Sequence, residues 1–230
     1  MKLAALFSGG KDSTFAIYQI QKEGHQVKCS VSVFPESEES LLLHYPNIEI
    51  TKLQSESLGI PQLFMSVDSS KTDNELSALE ELLKKAKEDY KIEGLVHGGI
   101  LSEFQKKNFE KICSNLNLKF ISPLWNKESK EYMQSLIDCN FHFIITSVSS
   151  DGLDQYWLGK EISYEELEKL EKLSKKYGFN LNFEGGEAET LVLDCPIFAY
   201  PIKIIKAKKL WDGYRGRFEI EEAGLDYRAR

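Results

Sequence analysis

Long apolar runs, closely spaced cysteines and an excess of positive charge are all missing from this chain of 230 residues. Its four cysteines are too scattered for a C-x-x-C pair, so we expect buried, inert thiols. Neither a signal peptide nor a membrane-spanning stretch is visible, so we expect a cytoplasmic protein with no membrane partner. The formal net charge of −7 argues against a nucleic-acid partner.

Two common phosphate-binding motifs are absent as well. The Walker A pattern G-x-x-x-x-G-K-[ST] fails because Ala5 and Asp12 stand where it needs Gly and Ser or Thr. The dinucleotide pattern G-x-G-x-x-G follows none of the strand-like runs. These absences exclude the kinase and GTPase type of loop and the dinucleotide-binding fingerprint.

A different glycine-rich loop is present near the start of the chain. The apolar run Leu3–Phe7 leads directly into Ser8–Ser13, with the sequence S-G-G-K-D-S. Adjacent glycines let the backbone approach a phosphate closely, Lys11 adds a positive charge, and a helix from Thr14 would direct its N-terminal N–H groups at the anion. The pattern predicts a nucleotide-binding loop; the alternative is a plain turn with an incidental lysine.

Short apolar runs alternate with amphipathic helical stretches through the first half of the chain, which is typical of a parallel α/β sheet. The strands are predicted at Lys2–Phe7, Gln26–Phe34, Leu63–Val67, Gly94–His97 and Lys119–Ile121. The pattern changes near Pro123–Trp125, so we predict two domains, residues 1–125 and 126–230. The second is predicted to be smaller and α+β, with helices at Ser129–Cys139 and Tyr164–Tyr177, a strand at Phe141–Val148, and short strands and turns from Phe179 onward.

Two further polar segments carry candidate chemistry. His97–Gln105 follows the fourth predicted strand, and its paired glycines would let a second loop close over the nucleotide at the carboxyl edge of the sheet. Phe183–Thr190 places three carboxylates around a glycine pair, which suits Mg²⁺, ammonium or a cationic substrate. The alternatives are a glycine turn that merely starts a helix and a solvated acidic turn.

Taken together, these segments resemble the diphthine–ammonia ligase family of N-type, or PP-loop, ATP pyrophosphatases. The resemblance covers nearly the whole chain and includes Ser8–Ser13, His44 with Asn47, Gly98–Gln105, Pro123–Trp125, Gly152–Asp154, Leu158–Gly159, Glu184–Thr190, Asp194 and Pro196. It implies an adenine nucleotide α-hydrolase-like (HUP) domain over residues 1–125, which binds ATP, and a substrate-binding domain over residues 126–230.

The resemblance also implies a reaction. ATP, with Mg²⁺, would activate the carboxylate of diphthine on elongation factor 2 as an acyl-adenylate, and ammonium would convert it to the amide of diphthamide with release of AMP and pyrophosphate. Position 2 is Lys2 rather than a glutaminase cysteine, so free ammonium, or ammonia from a separate partner, is expected as the nitrogen donor. An amide ligase for another carboxylate, a non-catalytic ATP or AMP sensor, and a homodimer all stay open.

The resemblance assigns roles to individual residues. ATP binding falls to Ser8, Gly9, Gly10, Lys11, Asp12, Ser13, Gly98 and Gly99, with Asp12 also the candidate Mg²⁺ ligand. Substrate binding falls to His44, Asn47, Ser102, Gln105, Glu184, Gly185, Gly186, Glu187, Glu189 and Thr190. The candidate catalytic residues are Lys11, Asp12 and Glu187. Candidates for cation–π contact with the trimethylammonium group of diphthine are Trp157, Trp211 and Tyr214.

Overall fold

The computed structural model describes residues 1–35, 48–68 and 72–229. The chain divides into two compact units, Met1–Trp125 and Asn126–Arg230. Among the described helices, none combines the length and the apolar composition needed to cross a bilayer.

The first unit is a parallel α/β sheet, which confirms the predicted fold class. Its elements are β1 (Lys2–Leu6), α1 (Lys11–Lys22), β2 (Gln26–Pro35), α2 (Ile48–Ser57), β3 (Gln62–Val67), α3 (Thr72–Tyr90), β4 (Gly94–Val96), α4 (Glu103–Asn115) and β5 (Lys119–Ile121). The strand order is β3-β2-β1-β4-β5, and every pairing is parallel. The strand order reverses between β1 and β4, and the crevice at such a switch point is where open α/β sheets bind ligands.

The apolar stripe of α3 anchors this sheet. Leu79, Leu83 and Ala86 are fully buried, and they join a cluster that includes Phe109 and Ile112 from α4. Burying each leucine contributes roughly 1.5–3 kcal/mol. The strands that carry the glycine loops therefore end against a packed, rigid core.

The second unit combines two helices with an antiparallel sheet. Its elements are α5 (Ser129–Asp138), β6 (His142–Val148), α6 (Tyr164–Tyr177), β7 (Ala188–Asp194), β8 (Ile202–Trp211) and β9 (Gly216–Leu225), with the strand order β7-β6-β9-β8. Asp212 closes the β8–β9 hairpin, since its Oδ1 accepts hydrogen bonds from the N–H groups of Tyr214 and Arg215. The prediction of only short strands here was wrong, because β8 and β9 have ten residues each.

The cysteines largely follow the expectation of inert thiols. Cys29, Cys113 and Cys195 are buried, and burial raises the pKa of Cys29 and of Cys113 to about 12. At neutral pH these two are therefore thiols rather than reactive thiolates. Cys139 is partly exposed, so the expectation of burial was wrong for that residue.

The N-terminus of α6 is held by a charged side chain. The Ser163 hydroxyl donates a hydrogen bond to the Glu166 carboxylate, and the Lys160 ammonium lies 3.3 Å from that carboxylate. These two partners lower the pKa of Glu166 from 4.5 to about 2, with the serine bond the larger cause. The Glu166 side chain is only 8% exposed, so water competes weakly with these partners.

Replacing this carboxylate should cost stability in a pH-dependent way. We expect Glu166→Gln to lower the free energy of unfolding by about 1.5–3 kcal/mol at neutral pH, the range for hydrogen bonds to charged groups. Because the folded pKa lies below the unfolded one, the carboxylate stabilises above pH 4.5, and this contribution is lost as pH falls toward 2. Urea unfolding of both proteins at neutral and acidic pH checks this.

The exposed Glu168, on the same helix, provides the control substitution Glu168→Gln. It should leave the unfolding free energy within about 0.5 kcal/mol of the unsubstituted chain. A deficit for Glu166→Gln that stays constant between neutral pH and pH 3 would contradict the assigned role of its charge.

Candidate active site

The loop after β1 requires a glycine at position 9. Gly9 has a positive φ of 78°, and a Cβ placed on it would lie 2.1 Å from Oε1 of Gln54. Gln54 is fully buried on α2 and donates from Nε2 to the Gly9 carbonyl at 2.9 Å. Gly10, in extended conformation, is the residue from which α1 begins. The loop is thus a closely packed backbone cradle.

Hydroxyl groups tie this loop to the first turn of α1. The Ser13 hydroxyl donates to the Gly10 carbonyl at 3.2 Å and accepts from the Ser8 N–H at 3.3 Å. Thr14 Oγ1 donates to the same Gly10 carbonyl at 2.8 Å. The first N–H groups of a helix have no acceptor within the helix, so this geometry suits a phosphate.

Lys11 and Asp12 form an ion pair at the mouth of the loop. Lys11 Nζ lies 2.9 Å from both carboxylate oxygens of Asp12. The lysine side chain is 2% exposed and the aspartate side chain is 32% exposed. Asp12 therefore compensates a buried ammonium, and its carboxylate remains accessible to solvent from the other side.

The second glycine loop packs directly on the first. A Cβ on Gly98 would lie 2.6 Å from the Asp12 carbonyl group and 2.7 Å from the Ser13 nitrogen. Backbone atoms cannot move aside as a flexible side chain can, so only glycine fits at this position. The structure thereby brings Gly98 against the start of α1, beside the carboxyl ends of β1 and β4.

Gly99 is held by the neighbouring buried histidine. Its N–H donates to His97 Nδ1 at 3.2 Å, and its carbonyl accepts from the Ser122 hydroxyl at 2.9 Å. The His97 ring packs edge-on against Phe109 with ring centroids 5.0 Å apart. The buried His97 ring thus supports the Gly99 backbone from one side while it packs against Phe109 on another.

The helix that follows begins at predicted substrate residues. Ser102 is the N-cap of α4, and its hydroxyl accepts from the Gln105 N–H at 3.4 Å. Lys106, one residue further, places its ammonium 4.1 Å from the centre of the Trp125 ring. The predicted substrate residues His44 and Asn47 lie outside the described residues.

The acidic segment of the second unit forms a tight turn around Glu187. One oxygen of the Glu187 carboxylate accepts hydrogen bonds from the N–H and the side-chain amide of Asn180, at 2.8 and 2.7 Å. The other oxygen accepts from the Gly185 N–H at 2.8 Å. Glu187 is therefore the organising residue of the turn in this state.

Further contacts fix the same turn. Ser149 donates its N–H to the Glu187 carbonyl at 2.9 Å and its hydroxyl to the Gly186 carbonyl at 2.8 Å. The Glu184 N–H donates to Oδ1 of the fully buried Asn182 at 3.2 Å. Glu189 and Thr190 follow on β7, so the acidic motif spans the turn and the start of this strand.

Several residues that shape these sites were missed from the sequence. Gln54 supports Gly9, while Ser149 and Asn180 hold the acidic turn. Gln54 and Ser149 lie 45 and 37 residues from the groups they contact, so no local pattern marks them. Asn180, only seven residues before Glu187, is a common polar residue that carries no motif of its own. His97 was noticed beside its glycines without receiving a role.

In the described part of the chain, the side chains that could bind a metal ion do not form clusters of three or more. Within residues 1–35, 48–68 and 72–229, no three His, Cys, Asp or Glu side chains form a preassembled metal site. Mg²⁺ commonly binds one or two carboxylates together with substrate phosphates. The accessible carboxylate of Asp12 fits that mode.

A parallel sheet with a PP-loop at its switch point defines the PP-loop class of ATP pyrophosphatases. Family models agree: residues 1–120 match the diphthamide synthase N-terminal domain, and residues 128–225 match the diphthamide synthase C-terminal domain. The chain belongs to the diphthamide synthase family.

Curated relatives extend over most of the chain. The diphthine–ammonia ligase of Bos taurus is 34% identical over 216 residues, covering 86% of this chain and 80% of the relative. The Mus musculus enzyme is 35% identical over 222 residues, covering 89% of this chain and 83% of the relative. The Homo sapiens enzyme is 33% identical over 216 residues, covering 86% of this chain and 80% of the relative. A solved structure described as a predicted subunit of tRNA methyltransferase from Methanocaldococcus jannaschii aligns over 82% of this chain and 95% of its own length. The sequence identity is 16% and the TM-score is 0.41, so this similarity carries no argument about function.

The contact beneath Gly98 can be tested directly. We expect Gly98→Ala to weaken ATP binding at least about tenfold, because the added methyl group would displace the first turn of α1. Gly224→Ala is the matched control, since its Cβ would meet nothing closer than 4.0 Å. Calorimetric titration with ATP measures both variants, and unchanged affinity for Gly98→Ala would show that the loop does not need this contact.

Proposed function

We propose that this chain is a diphthine–ammonia ligase, which uses ATP and ammonium to convert diphthine on elongation factor 2 into diphthamide, with AMP and pyrophosphate as the other products. The observation that carries the proposal is the alignment with enzymes of that name over most of both chains. The PP-loop and the acidic turn, each supported by its own hydrogen bonds, agree with it.

The first step activates a poor electrophile. Ammonia cannot displace oxygen from a carboxylate, so one carboxylate oxygen attacks the α-phosphorus of ATP. An oxygen–phosphorus bond forms, the bond from that phosphorus to the β-phosphate oxygen breaks, and pyrophosphate leaves with the electron pair. The product is an acyl-adenylate whose leaving group is AMP.

The PP-loop stabilises the charge that builds up on the departing pyrophosphate. Its helix N-terminus offers backbone N–H groups, and Lys11 supplies a cation that is nearly buried. Donors fixed before the reaction need no reorganisation in the transition state, which makes such contacts effective. Mg²⁺ would be held by Asp12 and the phosphates, and would neutralise phosphate charge.

The second step forms the amide. Ammonium first loses a proton, and the nitrogen lone pair of ammonia then attacks the acyl carbon. The carbon–oxygen bond to AMP breaks, and a second proton leaves the nitrogen. We assign attraction of ammonium and acceptance of these protons to the carboxylates of the acidic turn, Glu184, Glu187 and Glu189, with the turn held by the hydrogen bonds that Glu187 accepts from the Asn180 and Gly185 N–H groups.

One assay tests the proposal. The purified chain is incubated with Mg-ATP, ammonium and elongation factor 2 that carries diphthine, and both AMP and the mass of the modified peptide are measured. We expect AMP release and the small mass decrease of an OH replaced by NH₂, each dependent on ammonium and on the modified factor. AMP without the mass change would indicate another carboxylate, and no AMP would indicate a nucleotide sensor.

Lys11→Ala provides the inactive control for that assay. We expect turnover to fall by roughly 10²–10³, the usual effect of removing one transition-state contact. The exposed Lys85 on α3, remote from the PP-loop in sequence, gives a comparison variant, Lys85→Ala, that should retain full turnover. Equal turnover in Lys11→Ala and the unsubstituted chain would remove Lys11 from the mechanism.

Glu187→Gln separates the acidic turn from the nucleotide site. The glutamine side chain would direct an NH₂ group at either the Gly185 or the Asn180 donor, so the turn should open. We expect amide formation to fall roughly tenfold or more while ATP affinity stays the same. Glu222→Gln on β9 is the control, and a collapse of ATP affinity in Glu187→Gln would place the acidic turn in the nucleotide site.

A further inference from the structure

A cavity in the second unit is lined by aromatic rings. Its volume is about 690 Å³, within the range of small-molecule sites. Five aromatic residues contribute to its walls: Tyr156, Trp157, Tyr177, Trp211 and Tyr214. Trp157 is buried, whereas the three tyrosines are about half exposed. A soluble surface rarely gathers so many half-exposed rings around one opening unless it binds something.

Glycines hold two of these rings in place. A Cβ on Gly152 would lie 2.3 Å from the Tyr177 ring, and a Cβ on Gly216 would lie 2.6 Å from the Trp211 ring. Each ring therefore packs on bare backbone. Such packing fixes the rings before any ligand arrives, which reduces the entropy lost on binding.

The cavity walls carry as many carboxylates as ammonium groups, so the aromatic faces are the feature that favours a cation. Asp151 and Asp154 line the cavity on the loop that follows β6. The cationic lining residues are Lys169 and Lys172, and the Lys169 ammonium is paired with Glu165 at 2.7 Å. Aromatic faces add a negative quadrupole potential of their own.

Two of the rings already contact ammonium groups of the chain itself. Lys160 Nζ lies 5.4 Å from the centre of the Tyr156 ring, and Lys176 Nζ lies 4.8 Å from the centre of the Tyr177 ring. Both distances fall within the range of cation–π contacts. The Tyr156 and Tyr177 rings therefore have faces that a cation can contact.

Residues that line the cavity are close in sequence to residues that hold the acidic turn. Ser149 donates to Gly186 and Glu187 in the turn, and the next residue, Ser150, lines the cavity. Tyr177 lines the cavity, and Asn180, three residues later, holds the Glu187 carboxylate. Two segments thus connect the aromatic walls to the turn within one unit.

We infer that this cavity is a binding site for a quaternary ammonium group, and, resting on the proposed function, that its ligand is the trimethylammonium group of diphthine. A primary ammonium needs hydrogen-bond acceptors, which the turn supplies. A trimethylammonium group has no N–H to donate and is weakly hydrated, so aromatic faces suit it best. The two cations of the reaction would then have separate sites.

The probe for this inference is tetramethylammonium chloride, with tert-butanol as the neutral control of similar shape and sodium chloride as the ionic-strength control. The full chain is labelled with fluorotryptophan, and its three tryptophan signals are assigned by single Trp→Phe substitutions. We expect tetramethylammonium to shift the Trp157 and Trp211 signals saturably and to leave the Trp125 signal unchanged. No saturable shift, or equal shifts with tert-butanol, would overturn the inference.

Substitutions sharpen the same titration. We expect Trp211→Ala and Asp151→Asn each to weaken tetramethylammonium binding by roughly three- to tenfold, and Trp211→Phe to retain most of it. Asp151→Asn keeps the packing intact, so its effect does not depend on a folding defect. Tyr227→Ala, exposed and outside the cavity lining, should bind as the unsubstituted chain does. Unchanged binding in both Trp211→Ala and Asp151→Asn would overturn the assignment to this cavity.

The enzymatic assay separates this inference from the proposed function. In the ligase reaction, Trp211→Ala should raise the KM for diphthine-bearing elongation factor 2 roughly tenfold and leave the KM for ATP unchanged. Tetramethylammonium binding without amidation by the unsubstituted chain would contradict the proposed function and leave a quaternary ammonium site. Amidation with no probe binding, and with an unchanged KM in Trp211→Ala, would contradict the cavity assignment alone.

Discussion

The approach of the Gly98 backbone to the first turn of α1 is the contact on which the nucleotide loop depends. A Cβ on residue 98 would lie 2.6 Å from the Asp12 carbonyl group, which leaves no room for a side chain. The chain can therefore pass from β4 beside the start of α1 only with glycine at position 98. Gln54 on α2 also holds the loop, because its side-chain amide donates a hydrogen bond to the Gly9 carbonyl. The loop is thus fixed by backbone packing, while its buried Lys11 ammonium is paired with the Asp12 carboxylate.

The two glycine turns of this protein use their backbone donors in opposite ways. In the PP-loop, the helix N-terminus is oriented toward an incoming anion. In the acidic turn, the Gly185 and Asn180 N–H groups already bind a carboxylate of the protein, that of Glu187. The second turn therefore has little capacity for a phosphate, although both segments carry paired glycines. Similar glycine patterns in a sequence do not imply similar ligands.

Sequence periodicity predicted the first unit well because its signals are local. Strand ends and the α3 stripe depend on the residues within each element, and the observed strands of the first sheet end within one residue of the predictions. Gln54 was missed because its role comes from a contact 45 residues away in the chain, and Asn180 was missed because a single polar residue seven positions before Glu187 forms no recognisable motif. The length of β8 was missed because its lysines, such as Lys208, interrupt the alternation of apolar and polar residues that is typical of a strand. In the structure this lysine pairs with Glu221 on β9.

The proposed reaction sets two electrostatic demands that conflict within a single pocket. Triphosphate requires cations and N–H donors, whereas a trimethylammonium group requires carboxylates and aromatic faces, and each set repels the other ligand. The proposal assigns these tasks to different units: Lys11 and the α1 N-terminus belong to the first, and the acidic turn and the aromatic cavity belong to the second. Each site is then built for its own charge, and a PP-loop alone does not identify the substrate, since the candidate substrate residues of the acidic turn lie beyond Trp125.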